Sequence, residues 1–210
     1  MENQILNILK QVGAVLDNDH FVGTSGGHFD TYVNKDALYP HTEETSTVCQ
    51  LFAEKYKDLD IDVVAGPALG GIILSQWTAY HLSKIKGKEI LGIYAEKEDD
   101  KLTFFTRRNY NNLVKGKKVL AIEDLTQTGS SLKKLVDAIK EAGGEVVHAS
   151  VMVNKNPQTI TSEMFGVPFS SLTEMTIANY QAENCPLCKN NVPINTKIGH
   201  GKNFLESKNS

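Results

Sequence analysis

The sequence predicts an α/β protein with a mostly parallel central sheet flanked by helices. Three observations carry this expectation. From Ile61 onward, short oily runs alternate with stretches of helical spacing. The oily runs are apolar at consecutive positions, as in strands covered on both faces. Two of them end in unusual loops, the place where such sheets bind ligands.

The elements follow in order. Residues 4–16 (QILNILKQVGAVL) are predicted as a first helix, with apolar Ile5, Leu6, Ile8, Leu9 and Val12. Residues 20–39 (HFVGTSGGHFDTYVNKDALY) alternate glycine-rich turns with aromatic and β-branched positions, the pattern of a short hairpin or small antiparallel unit. Residues 41–57 open with H-T-E-E-T and carry Val48, Leu51, Phe52 and Tyr56, a helix with acids in its first turn. IDVVAG (61–66), EILGIY (89–94), KKVLAI (117–122) and EVVHASVMV (145–153) read as strands, and GVPFSSL (166–172) as a possible fifth. Between them, 72–82 has helical spacing, and in 131–144 Leu132, Leu135, Val136 and Ile139 form one apolar face before Gly143-Gly144 stops the helix.

Composition narrows the function. A chain of 210 residues, 40% apolar and 22% charged, can bury one good core with a small appendage. A net charge of -3 with scattered Lys and Arg argues against nucleic acid as a partner. No run has the length and apolarity of a membrane span, and the opening MENQILNILKQ lacks signal-peptide character, so a cytoplasmic location is expected. The three cysteines, Cys49, Cys185 and Cys188, do not make a disulfide framework.

The chemistry is concentrated in V-L-A-I-E-D-L-T-Q-T-G-S-S, residues 119–131. Glu123 and Asp124 stand where a strand runs out, and carboxylates accept hydrogen bonds from vicinal hydroxyls such as those of a ribose. Thr126, Thr128, Gly129, Ser130 and Ser131 then precede a helix, whose free N–H groups and dipole favour a phosphate. A ribose 5-phosphate would satisfy both halves; a plain helix cap beside a solvated acidic turn is the simpler alternative. A second loop, A-G-P-A-L-G-G (65–71), offers successive amides for an anion. Neither G-x-G-x-x-G nor G-x-x-x-x-G-K-[ST] occurs.

The 119–131 stretch resembles the phosphoribosyl-pyrophosphate signature of the type I phosphoribosyltransferases, and V-V-A-G-P-A-L-G-G (63–71) resembles their pyrophosphate loop. H-F-V-G-T-S-G-G-H-F-D-T-Y-V-N-K (20–35) is similar, more narrowly, to the hood of orotate phosphoribosyltransferases. The resemblance covers roughly residues 15–157. It implies an N-terminal helix and hood over 1–40, a core over 41–175 with a mobile loop at 95–116, and a C-terminal tail over 176–210.

By the same resemblance, Thr126, Gln127, Thr128, Gly129, Ser130 and Ser131 would hold the 5-phosphate. Ala68, Leu69 and Gly70 would hold pyrophosphate, often through an unusual non-proline peptide bond. Glu123 and Asp124 would engage the ribose, directly or through substrate-bound Mg2+. Lys97 would reach pyrophosphate, partly from the neighbouring subunit of a homodimer, with Lys101, Arg107 and Arg108 as further cations. Phe21, Ser25, Gly26 and Lys155 would meet the base.

The implied reaction joins orotate to phosphoribosyl pyrophosphate, giving orotidine 5'-phosphate and pyrophosphate. The chain departs from the orotate pattern at Thr24, where a hood lysine is usual, at Glu96-Lys97-Glu98, usually Arg-Lys-Glu, and at Lys155, usually arginine. Another purine or pyrimidine base, or a regulator that binds phosphoribosyl pyrophosphate without turnover, therefore stays open.

In the tail, C-P-L-C gives Cys185 and Cys188 metal-ligand spacing. His200 is a candidate third ligand, with Cys49 or an acid as fourth, for a structural zinc; the cysteines can equally be small hydrophobes. Trp77 is expected in the core; His28 and His41 are candidates for the base pocket, with a satisfied or exposed histidine the simpler reading of both. Which of Asp30 and Tyr32 faces a ligand is open.

Overall fold

A computed structural model describes residues 2–23, 26–99, 101–104 and 108–208. The chain opens with α1 (Glu2–Gln11), followed by the short hood strands β1 (Val15–Leu16), β2 (Phe21–Val22), β3 (His28–Phe29) and β4 (Tyr32–Val33). Then come α2 (Thr42–Tyr56), β5 (Val63–Pro67), α3 (Gly70–Lys86), β6 (Leu91–Glu98), β7 (Lys101–Thr103) and α4 (Tyr110–Val114). The second half runs through β8 (Lys118–Thr126), α5 (Ser130–Glu141), β9 (Glu145–Asn154), α6 (Ser162–Phe165) and β10 (Phe169–Glu174) to α7 (Pro186–Lys189) and α8 (Gly201–Lys208).

Among the described residues the central sheet has the order β10-β9-β8-β5-β6-β7. Every neighbouring pair is parallel except the β6–β7 hairpin, so the edge carries the one antiparallel strand. From β5 the chain moves one way to β6, whereas from β8 it moves the other way to β9 and β10. The β5–β8 junction is thus a topological switch point, with a crevice beyond its carboxyl ends.

The two faces have separate cores. Val64, Leu120 and Ile122 pack with Val48, Phe52, Leu74 and Leu82 of α2 and α3. Val63, Ala65, Val119 and Ala121 pack with Leu132, Leu135, Val136 and Ile139 of α5. Side chains alternate along a strand, so in β8 Val119 and Ala121 join one core and Leu120 and Ile122 the other. This alternation later decides where its acids point.

The expected strands and the four expected helices all form, with instructive shifts. α1 ends at Gln11 rather than at residue 16, because Gly13 takes φ +69° and Val15–Leu16 pair with Tyr32–Val33 instead. β8 continues to Thr126, so Glu123 and Asp124 lie inside a strand rather than after it. Part of the 95–116 stretch is regular: Glu96, Lys97 and Glu98 pair with Thr103, Leu102 and Lys101, and Phe104 is buried in the α5-side core. Phe105 and Arg107 lie outside the described residues, as do Thr24 and Ser25.

The tail folds back over the hood. Tyr180 and His28 exchange backbone hydrogen bonds of 2.9 and 2.8 Å, Asn195 N–H donates to the His20 carbonyl at 2.8 Å, and His200 N–H to that of Val22 at 2.8 Å. Trp77 is half-buried against the α2–α3 core, and His41 is exposed at the start of α2. Among the described residues, no helix is long and apolar enough to cross a membrane.

Candidate active site

The site begins with the alternation along β8. Leu120 and Ile122 face α2 and α3, Val119 and Ala121 face α5, and the next two residues continue the pattern. Glu123 turns toward α5, where the nearby Ser131 hydroxyl and Leu132 N–H favour its charged form. Asp124 turns the other way. Its Oδ2 accepts from the Tyr39 hydroxyl at 2.9 Å and pairs with Lys35 Nζ at 3.0 Å, while Oδ1 accepts from the Leu125 N–H at 2.7 Å.

The two carboxylates, both more than 90% buried, therefore differ. Burial pushes the Glu123 carboxyl up to about 7, and the neighbouring Asp124 charge adds to the rise against the pull of Ser131. Burial also raises the Tyr39 hydroxyl, with Asp124 adding to it, so Tyr39 stays a donor. For Lys35 burial opposes the charge, but Asp124 and Asp36 outweigh it and its pKa is raised.

Two loops close over the strand ends. After β8, Gly129 adopts φ +75° as the cap of α5, its N–H donating to the Thr126 hydroxyl at 2.9 Å. A side chain at Gly129 would also run into Met164. After β5, the Ala68–Leu69 peptide bond is cis, Ala68 N–H donates to the Ala95 carbonyl at 2.8 Å, and Leu69 is 82% exposed. Gly70 then starts α3 directly against Asp124: a Cβ there would lie 2.0 Å from Asp124 Oδ2 and 2.4 Å from the Tyr39 hydroxyl oxygen. Only glycine lets the loop approach the acid so closely.

Two clefts open at the loop after β8 and share Thr128. One, of about 340 Å³, is lined by Ala68, Thr128, Ser130 and Ser131 together with Lys97, Lys101 and Lys134. Three ammonium groups, hydroxyls and a helix N-terminus make it a place for phosphate oxygens. The other, of about 370 Å³, is lined by Phe29, Tyr32, Gln127, Lys155, Asn179 and His200. Two aromatic rings with a cation and amide groups suit a flat, polar ring. Burial lowers the Lys155 pKa, and the Asp124 charge partly restores it.

The structure thus brings together Ala68, Thr128, Ser130, Ser131, Lys97 and Lys101 in one cleft, with Gln127 and Lys155 in the other. Gly70 and Thr126 support the carboxylates and the Gly129 turn. Other expected residues stand elsewhere. Phe21 is 1% exposed and packs behind Phe29 and Tyr32, which supply the lining rings. Gly26 takes φ +78° in the turn after Gly23 and lines a groove beside α8. Arg108 clasps Glu96 through two nitrogens and stacks over Tyr94, so it lines neither cleft. Of the hood pair left open, Tyr32 faces the cleft, while Asp30 accepts from the Thr31 hydroxyl.

The expected ligand set in the tail is also corrected. His200 lines the hood-side cleft, and Cys49 is fully buried in α2, where burial pushes its thiol up to about 12. Cys185 and Cys188 meet His20 and His28 instead, with one ligand atom from each of the four within 4.8 Å of the others. Sequence reasoning missed Lys35, Tyr39, Lys134, Phe29, Asn179 and His20. Only N-K-D-A-L-Y closing the hood and the Lys133-Lys134 pair after T-G-S-S carried any signal of them.

Switch-point loops, a buried acid pair and a hydroxyl-rich helix start define an α/β protein that handles a phosphorylated sugar. Residues 34–173 match the family model described as phosphoribosyl transferase domain. The chain belongs to the type I phosphoribosyltransferase family. It is 35% identical to the orotate phosphoribosyltransferase of Caldanaerobacter subterraneus subsp. tengcongensis over 193 residues, 92% of this chain and 95% of that one. It is 34% identical to that of Thermotoga maritima, over 90% of this chain and 94% of the relative. Among solved structures, the orotate phosphoribosyltransferase of Mycobacterium tuberculosis H37Rv superposes with TM-score 0.62 at 22% identity, covering 81% of this chain and 96% of that one.

Proposed function

We propose that the chain is a magnesium-dependent orotate phosphoribosyltransferase, converting orotate and phosphoribosyl pyrophosphate to orotidine 5'-phosphate and pyrophosphate. The observation that carries this is the pair of clefts that share Thr128, one cationic and one aromatic, on the loop that directly follows the buried Glu123–Asp124 pair. A phosphorylated sugar bearing a leaving pyrophosphate fits between them, and the near-full-length relatives named above are enzymes of this reaction.

Each group then has a role. The α5 N-terminus and the hydroxyls of Thr128, Ser130 and Ser131 hold the 5-phosphate. Lys97, Lys101 and the 68–70 loop hold the pyrophosphate, and Lys134 adds positive charge to the same cleft. Glu123 and Asp124 accept hydrogen bonds from the ribose hydroxyls and lie where positive charge develops at the anomeric carbon. The base nitrogen forms its bond to that carbon as the bond to the pyrophosphate oxygen breaks, and the ring nitrogen's proton passes to solvent. Phe29 and Tyr32 stack the base, and Lys155 meets its carboxylate. Positioning and electrostatics supply the rate.

The Asp124 oxygens are engaged by Lys35, Tyr39 and the Leu125 N–H. That leaves few protein ligands for magnesium, as suits an ion carried mainly on substrate oxygens. An ion held there would supply positive charge to the departing pyrophosphate. We further infer a cytoplasmic homodimer. The ring cluster of Trp77, half-exposed Tyr80 and His81 on α3 is the kind of surface that dimers bury.

The test is pyrophosphate release from phosphoribosyl pyrophosphate with magnesium across orotate, uracil, adenine, guanine, hypoxanthine and xanthine. Turnover with orotate alone is expected. Turnover with a different base overturns the choice of base, and silence with every base overturns the enzyme.

A further inference from the structure

The four-residue cluster between hood and tail takes no part in the reaction above, and its construction follows from local rules. In the β2–β3 hairpin Val22 lies opposite His28, so their side chains share a face, and His20, two residues before Val22, lies on that face too. His20 Nε2 and His28 Nδ1 are accordingly 2.7 Å apart. Phe21 and Phe29 take the opposite face, toward the aromatic cleft. In the tail, Cys185 caps α7 and Pro186 begins it, so Cys188 follows at i+3, on the same side of the turn.

The sulfurs complete the cluster. Cys185 Sγ is 3.7 Å and Cys188 Sγ 3.8 Å from His20 Nε2, and Cys188 Sγ is 3.4 Å from His28 Nδ1. A tetrahedral zinc with bonds of about 2.0–2.3 Å requires ligand-to-ligand edges of about 3.3–3.8 Å. Three of the four contacts already have that length, and the His–His contact needs to open by roughly half an ångström on the same reckoning.

The surroundings match as well. His20 Nδ1 lies 2.8 Å from the Val192 carbonyl, which accepts its proton and leaves Nε2 as the bare nitrogen facing the sulfurs. His20, His28 and Cys185 are completely buried. Two thiols and two imidazoles converging in a largely buried pocket form a soft donor set, suited to zinc and not to magnesium or calcium. A redox dithiol fits less well, because Cys185 is completely buried and both sulfurs, the partly exposed Cys188 included, face the imidazole nitrogens.

We propose that His20, His28, Cys185 and Cys188 bind one Zn2+ per chain in a closed structural site that clamps the C-terminal tail onto the hood. Four protein ligands leave no open position, so the ion is not catalytic. It joins residues 165 positions apart in sequence, closing a loop that nearly spans the chain. The clamp braces the wall of the aromatic cleft: Phe29 stands on the same hairpin, and Asn179 and His200 come from the clamped tail.

The experiment uses the untagged full-length protein, purified without chelator under reducing conditions and analysed for metals by mass spectrometry. One zinc per chain is expected, with Cys188→Ser and His28→Ala losing it and His200→Ala and Cys49→Ala keeping it. Cobalt exchanged into the wild-type protein should show intense tetrahedral visible bands and thiolate charge transfer, a readout that does not depend on any variant folding. Chelation should lower the melting temperature of the wild type and leave folded Cys188→Ser unmoved. The proposal is overturned by folded wild type that neither contains nor takes up zinc, by full zinc in Cys188→Ser, by loss of zinc in His200→Ala, by a Cys185–Cys188 disulfide in metal-free protein, or by another metal at full occupancy.

Discussion

A single methyl group at Gly70 tests the central geometry. In Gly70→Ala the new Cβ would stand 2.0 Å from Asp124 Oδ2 and 2.4 Å from the Tyr39 hydroxyl oxygen. Ordinary contact requires the carboxylate to retreat by roughly 1–1.5 Å. It has little freedom to do so, because Lys35, Tyr39 and the Leu125 N–H hold it at 3.0, 2.9 and 2.7 Å. Overpacking of this kind costs about 1–3 kcal/mol, which a domain of ordinary stability survives. Misplacing a catalytic group by about 1 Å costs on the order of a hundredfold in rate. Gly70→Ala should therefore remain folded by urea denaturation while kcat/KM for pyrophosphate release falls about a hundredfold. Ile139→Val, in the α5-side core, should lose about 0.5–1.5 kcal/mol and keep its turnover. Wild-type kcat/KM in Gly70→Ala would refute the placement of Asp124 at the reacting sugar.

Three further outcomes follow from the same site. The Glu123 carboxyl is raised from 4.5 to about 7, so its contribution to folding is full below about 4.5 and is lost as pH rises through about 7. That contribution is on the order of 3 kcal/mol; wild type should lose its urea stability relative to Glu123→Gln across this window, and a pH-independent difference would contradict the assignment. Lys155→Ala should raise KM for orotate far more than KM for phosphoribosyl pyrophosphate, with Lys155→Arg restoring most of the loss through bidentate contact; an equal rise in both KM values would place Lys155 on the sugar. Lys101→Ala and Lys134→Ala should raise KM for phosphoribosyl pyrophosphate several-fold and weaken its salt dependence, whereas Arg108→Ala, whose guanidinium is held by Glu96, should leave that KM near wild type.

The sequence by itself determined the layers and the chemistry of the switch point. The apolar runs at 61–66, 117–122 and 145–153 read as strands covered on both faces, and the i, i+3, i+4, i+7 pattern from Leu132 supplies one of the covers. T-Q-T-G-S-S and G-P-A-L-G-G are local signals, because turn chemistry and helix caps depend on neighbours in the chain. Tertiary structure decided whatever depends on residues distant in sequence. Extension of β8 to Thr126 set Glu123 and Asp124 on opposite faces, each with its own partners, and only the packed hood brought Lys35 and Tyr39 to Asp124. Arg108 looked like a free cation until the hairpin placed Glu96 beside it. The tail shows the limit most plainly. Cys185 and Cys188 announce themselves by spacing, but their companions are His20 and His28 rather than His200, because β-hairpin register and the fold of the tail, not sequence proximity, choose which side chains share a pocket.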